Sequence, residues 1–313
     1  MAKKEKSSKK TDFLWVPGEG PSSDALRRLA RHCPKPKHSM GEAWFLSEKR
    51  HIYTELERTD LESIPHAQME RIFWEMTSGP GSFGMEDNWD EWFNYLLWYL
   101  LEKESCACGK NIEYLVSACL VMDAQASREP YTQYKDDLRD TLGRAIMAKP
   151  YWDETQDLIE RLHRVGEWRH GPECSGAISA SLFLCLELLE EEQISSWLQS
   201  MLRISGIHWR TNLLCWFISA HNLQFEPHTF GNVDLRLFPT LEWEHDYLVG
   251  GSQVRFLKHK LGLLFEKLRE QLDFSAFTNW MEPLLDDQRI ASQLSEWSIA
   301  ERYVDYVLTG EKY

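Results

Sequence analysis

Apolar residues recur at spacings of three and four along most of the chain, the period of one helix face. The longest stripe follows Gly250-Gly251. Ser252 can cap it, and Val254, Leu257, Leu261, Leu264, Leu268 and Leu272 line one side. A second run, Trp89, Trp92, Phe93, Leu96, Leu97, Leu100 and Leu101, is apolar almost all round. A helix of that kind is buried. Asp87 or Asn88 can cap its start. A short helix is expected from Ser22 or Ser23, with Leu26, Leu29 and Ala30 facing inward, stopped by Cys33-Pro34-Lys35-Pro36-Lys37. Further anchors are Trp44, Phe45, Ile52 and Leu56. Pro65 then suits a first helical turn ahead of Met69, Ile72, Phe73 and Met76.

Helices are predicted near 111–126, 131–148, 153–169, 175–191, 193–204 and 207–222. Taken as pairs, the first helices begin about 40 residues apart, and this spacing resembles HEAT-type repeats in form. The likeness covers about residues 111–222 and lies in helix spacing alone, so no functional residue carries over. An irregular helical bundle gives the same pattern. Leu223–Pro239 interrupts the helices, and Val233, Leu235 and Leu237 alternate with Asp234 and Arg236 as one short strand. Pro283 is expected to separate off a last helix near 288–308. The fold class read from this pattern is all-α: an irregular helical bundle or a HEAT-like α-solenoid of antiparallel helix pairs. Its parts are a disordered basic tail (1–12), an N-terminal helical region (13–110), the repeat-like region (111–222), a connecting loop (223–240) and a C-terminal helical region (241–313), in one continuous domain.

Charge narrows the function classes. The net charge is −14, and the Lys-rich first ten residues carry +4, leaving about −18 on the rest. A body that acidic repels a phosphate backbone, so nucleic acid is not expected to bind through it. Acidity also serves solubility, and it suits a basic protein partner. Seven Cys, with Cys119, Cys185 and Cys215 inside apolar helical runs, point to free thiols in a reducing, cytoplasmic setting. No apolar segment follows the basic start as a signal peptide requires. The longest apolar stretch, Ile178–Leu189, contains Glu187 and falls short of the roughly 20 residues a membrane span needs.

Several patterns touch on chemistry. Gly79-Pro80-Gly81-Ser82-Phe83-Gly84 has dinucleotide-loop spacing but follows a helix, with no βαβ unit around it, and reads as a connector. Cys106 and Cys108 lack a second ligand pair for structural zinc. Glu86-Asp87-Asn88-Trp89-Asp90-Glu91 resembles the acid-rich magnesium motif of helical terpene cyclases. It opens a helix here, however, where carboxylates complement the macrodipole. Glu187, Glu190, Glu191 and Glu192 read as a solvated helix end. Two Glu-x-x-His pairs, Glu167/His170 and Glu242/His245, have the spacing used by helical di-metal carboxylate proteins. His245-Asp246, with His221, Asp273 and Asp286, offers a weaker phosphohydrolase-like set.

The leading expectation is a non-catalytic, cofactor-free interaction scaffold or adaptor, with immunity proteins as one setting. Its acidic surface would use Asp87, Asp90 and Glu91, with Trp89 or Trp92 as an aromatic anchor if exposed. The alternative is a metal-dependent helical enzyme, of di-metal carboxylate or phosphohydrolase type, built on Glu167, His170, Glu242 and His245.

Overall fold

Ser22 opens the first helix: its hydroxyl accepts from the Ala25 amide at 3.3 Å, and α1 runs Ser23–His32. The computed structural model to which this helix belongs describes residues 12–40, 55–65, 67–69, 71–73, 76, 89–103, 110–125, 129–152, 173–174, 176–224, 240–241, 252–291 and 300–311. Asp24 in the first turn of α1 and Arg31 and His32 in the last complement the helix dipole. Ala25 and Leu29 are its buried residues, whereas Ala30 is half-buried.

The other described helices are α2 (Trp89–Glu102), α3 (Lys110–Gln125), α4 (Tyr134–Leu138), α5 (Gly176–Leu188), α6 (Glu191–Arg203), α7 (Ile207–Asn222), α8 (Ser252–Gln271), α9 (Phe274–Asp286) and α10 (Ala300–Thr309). The fold is all-α, as the periodicity predicts. Helix α5 is buried around its whole circumference from Gly176 to Leu186 and packs on α3 and α8. Helix α8 also contacts α6, α7 and α10, while α1 packs on α2 and α4. In a solenoid each unit touches its sequence neighbours. The described helices instead pack across the chain, as in an irregular bundle. One hydrophobic cluster extends from Phe13 to Val307 and includes Leu261, Leu264 and Leu268 of the α8 stripe.

Three local differences from the predicted pattern have physical causes. The helix expected over 131–148 is broken: α4 passes into a π turn (Arg139–Gly143) and two short 3-10 turns (Ala145–Met147 and Lys149–Tyr151). Gly143 presses against α5, and a Cβ there would lie 2.4 Å from Cys185 Sγ. Tertiary packing therefore sets the backbone, against the 3.6 period. Second, Pro283 lies inside α9. Asp273 starts that helix by accepting from the Ala276 amide at 2.8 Å, and Pro283 removes one amide near its end. Third, β1 (Glu173–Cys174) pairs in parallel with β2 (Thr240–Leu241) against α7. The strand expected at Val233–Leu237 lies outside the described residues.

The Glu187–Glu192 stretch has the solvent exposure expected of a helix end at Glu190, Glu191 and Glu192, and it is also a braced corner. Lys260 of α8 donates to the carbonyls of Glu187 and Leu189, closing the end of α5. Glu190 and Gln193 form a reciprocal capping box at the start of α6, and Glu191 lies 3.1 Å from His259.

Residues before α1 form an extended arm with strand-like alternation. Phe13 and Trp15 point inward, Leu14 and Val16 outward. The Trp15 amide donates to Ser200 Oγ at 2.9 Å, and its ring meets Trp197 edge-on at 5.5 Å and Trp209 at 5.8 Å. Arg139 and Arg144 lie 4.6 and 4.3 Å from the Phe13 ring centroid. The arm ends in a turn at Pro17-Gly18-Glu19-Gly20-Pro21. Gly20 there has φ +66°, and its amide donates to the Met147 carbonyl at 3.0 Å.

Candidate functional site

Helix α2 places the residues expected to bind a partner. Trp89 and Trp92 are 2% and 0% exposed, and Trp92 Nε1 donates to the His38 carbonyl at 3.2 Å. Both rings are core, which corrects the expectation that either could anchor a partner: the apolar circumference of α2 draws them inward. Asp90 is half-buried, and its Oδ1 accepts from the Glu91 amide at 2.8 Å. Glu91 is exposed, with Oε2 2.9 Å from His38 Nε2. Its hydrogen bond raises the pKa of His38. Asp87 lies outside the described residues.

Glu167, His170, Glu242 and His245 also lie outside the described residues. Among the described residues, no group of three or more His, Cys, Asp or Glu side chains is placed to hold a metal ion. Of the phosphohydrolase-like set, Asp273 and Asp286 bound opposite ends of α9, about 20 Å apart along a helix axis. One ion could not bridge both.

His221 is buried on α7, its ring edge-on to Phe265 at 5.1 Å. Burial, reinforced by the positive charge of Arg269, lowers its pKa from 6.5 to about 4. The neutral ring is therefore the native form. Between these two values the unfolded chain binds a proton that the folded chain does not, so acid favours unfolding. Stability should fall as pH drops from about 6.5 towards about 4. Urea denaturation across that window should show a smaller loss in His221→Leu; an unchanged slope would mean His221 does not titrate as described.

The buried acid of the core is held by a dedicated network. Asp137 is fully buried, and Arg28 reaches it through a forked contact, Nη2 to Oδ1 at 2.6 Å and Nε to Oδ2 at 2.9 Å. Tyr131 donates to Oδ2 at 2.7 Å and stacks on His32. This ties α1 to α4 and leaves no open chemistry at the carboxylate. Cys33, Cys119, Cys185 and Cys215 are buried free thiols. Burial pushes the Cys33 thiol up to about 12, which makes it a poor nucleophile.

Helix α9 carries a surface that the sequence reading missed. Phe274 and Leu285 are 62% and 55% exposed. They share one helix face with Thr278, which is exposed, and Met281, which is half-buried. Glu282 and Asp286 are exposed along one edge of that face, and Asp273 stands at its start. The detectable signal was the spacing of Phe274, Met281 and Leu285 behind a capping Asp. Reading Pro283 as a helix breaker hid it.

The chain matches no protein-family model, no curated protein and no solved structure. No helix among the described residues is long and apolar enough to cross a membrane.

Proposed function

We propose that this protein is a non-catalytic interaction scaffold that meets a basic protein partner through an acidic surface, in a reducing, cytoplasmic setting. The observation that carries the reading is where the acidic charge sits. Among the described residues Asp137 is the one acidic residue in the core, and Arg28 neutralises it. Asp24, Glu62, Glu91, Glu191 and Glu270 all reach solvent. With a net charge of −14, the excess faces outward, where it steers association with cations. The buried free thiols support the reducing setting.

The test is isolation of the native protein with its partner at low ionic strength. The complex should dissociate as salt rises. Reversing Asp90 and Glu91 to Lys should slow association and flatten its salt dependence, with stability within about 1 kcal/mol of wild type. Unchanged association kinetics would remove the opening of α2 from the binding surface. A native protein with no partner at low salt would contradict the reading itself.

The parallel pairing of β1 with β2 favours a second reading, a metal-dependent enzyme. Glu167 and His170 shortly precede β1 in sequence, and Glu242 directly follows β2, with His245 beyond it. The pairing thus brings the two stretches of chain that border the Glu-x-x-His pairs side by side. Elemental analysis of the purified protein tests it. Stoichiometric iron, manganese or zinc, lost on Glu242→Gln, would support this reading; a metal-free folded protein that takes up none of them would remove it.

A further inference from the structure

We propose that the outer face of α9 is the docking surface for a basic amphipathic helix of the partner protein; this rests on the interaction reading above and names its site. Phe274, Thr278, Met281 and Leu285 fall within about 60° of one another around the helix, at roughly 100° per residue. They span about 17 Å of axis, three turns, which is a suitable length for a second helix to lie along.

Single exposed hydrophobics are ordinary on a protein surface, so the pattern matters more than the count. Among the described residues, the exposed large hydrophobics are Leu14, Val16, Phe274 and Leu285. They fall on two elements, the N-terminal arm and α9, and both elements pack on the start of α7. Trp15, between Leu14 and Val16, meets Trp209 at 5.8 Å. The next residue along, Arg210, donates to the Trp280 carbonyl of α9 at 2.8 Å, and Trp280 Nε1 donates to the Leu202 carbonyl at 3.1 Å. The α9 face is therefore held on the core, with Met281 packed partly against it, while Phe274 and Leu285 stay in water.

The charges beside the stripe choose the occupant. Phe274–Asp286 contains no Lys or Arg. Among the described residues Glu282 and Asp286 form no ion pair, unlike Glu91, which is taken by His38. An apolar stripe with a free acidic edge complements an amphipathic helix that carries Lys or Arg beside its own apolar face. A second copy of this chain fits poorly. Antiparallel two-fold pairing of α9 with itself would lay Glu282 and Asp286 of each copy along a helix that has no Lys or Arg to receive them.

The test uses the full chain and a labelled synthetic helical peptide of Leu and Lys in a heptad pattern, with the Leu and Glu version as control. Fluorescence anisotropy at low and physiological salt reads the affinity. The Lys peptide should bind and the Glu peptide should not. Phe274→Asp and Leu285→Asp should each weaken binding about tenfold. Glu282→Lys with Asp286→Lys should weaken it and flatten its salt dependence. Glu55→Lys with Glu129→Lys, exposed carboxylates far from α9 along the chain, should leave it within about twofold of wild type. All these sites are exposed, so thermal unfolding curves should overlay; if an apolar-to-Asp variant misfolds, the charge-reversal pair still decides. Unchanged affinity in the α9 variants, or an equal loss in the Glu55 and Glu129 pair, would overturn the proposal. A wild-type dimer that Phe274→Asp dissociates in the ultracentrifuge would also overturn it, assigning the face to a second copy. Retention of the native partner by Phe274→Asp/Leu285→Asp would reject α9 while leaving the interaction reading standing.

Discussion

Replacing Arg28 by Ala should destabilise the protein by about 3–5 kcal/mol near neutral pH, because it strands a buried charge. Asp137 is fully buried, whereas Arg28 is 38% exposed. Loss of Arg28 leaves the carboxylate with the Tyr131 hydroxyl and the helix backbone around it, out of reach of water. Loss of Asp137 is the milder insult. The guanidinium it frees can turn to solvent, so Asp137→Ala should cost less than Arg28→Ala. Urea unfolding at neutral pH measures both. The reverse order would show that water reaches Asp137.

Replacing Trp197 by Ala should cost about 3–5 kcal/mol, through the lost transfer energy and the cavity left behind. Trp197 is fully buried, and it forms one wall of the site that receives Trp15. The effect should therefore extend beyond α6. Removing that wall loosens the arm, whose remaining ties include the Trp209 ring, the Ser200 contact, the Phe13–arginine contacts, the bond from Arg144 to the Leu14 carbonyl and the Gly20–Met147 bond. Limited proteolysis should cut Trp197→Ala within the arm faster than wild type. Trp197→Phe, which keeps a ring, should be intermediate in both assays. An arm equally protected in all three would mean that Trp15 does not depend on Trp197.

The elements legible in the sequence were those whose local pattern agrees with their packing. Helix α7 spans Ile207–Asn222, the range its apolar period marks, and Leu261, Leu264 and Leu268 are buried as the α8 stripe requires. Ser22 caps α1 by the local chemistry its position suggested. The failures lie where distant contacts decide. Nothing local to 131–148 reveals that Gly143 will press on Cys185, or that Asp137 will be buried for Arg28, 109 residues away. The inward alternation of Phe13 and Trp15 gains meaning through Trp197 and Trp209, which the linear pattern does not bring together. The charge that the proposed surface draws on is legible as a net −14, whereas the place of that surface is not. Trp89 and Trp92 belong to a helix apolar on nearly every side, so neither ring was free to form an anchor. The stripe that is exposed lies on α9, across a proline read as a break.

The most direct measurement is zero-length carbodiimide cross-linking of the native complex, which joins a carboxylate to a lysine in direct contact. The account predicts links from carboxylates of this chain to lysines of a second protein, concentrated at Glu282 and Asp286 and suppressed by high salt. A native protein that yields no intermolecular link from any of its carboxylates, at low salt and with its partners intact, would contradict it.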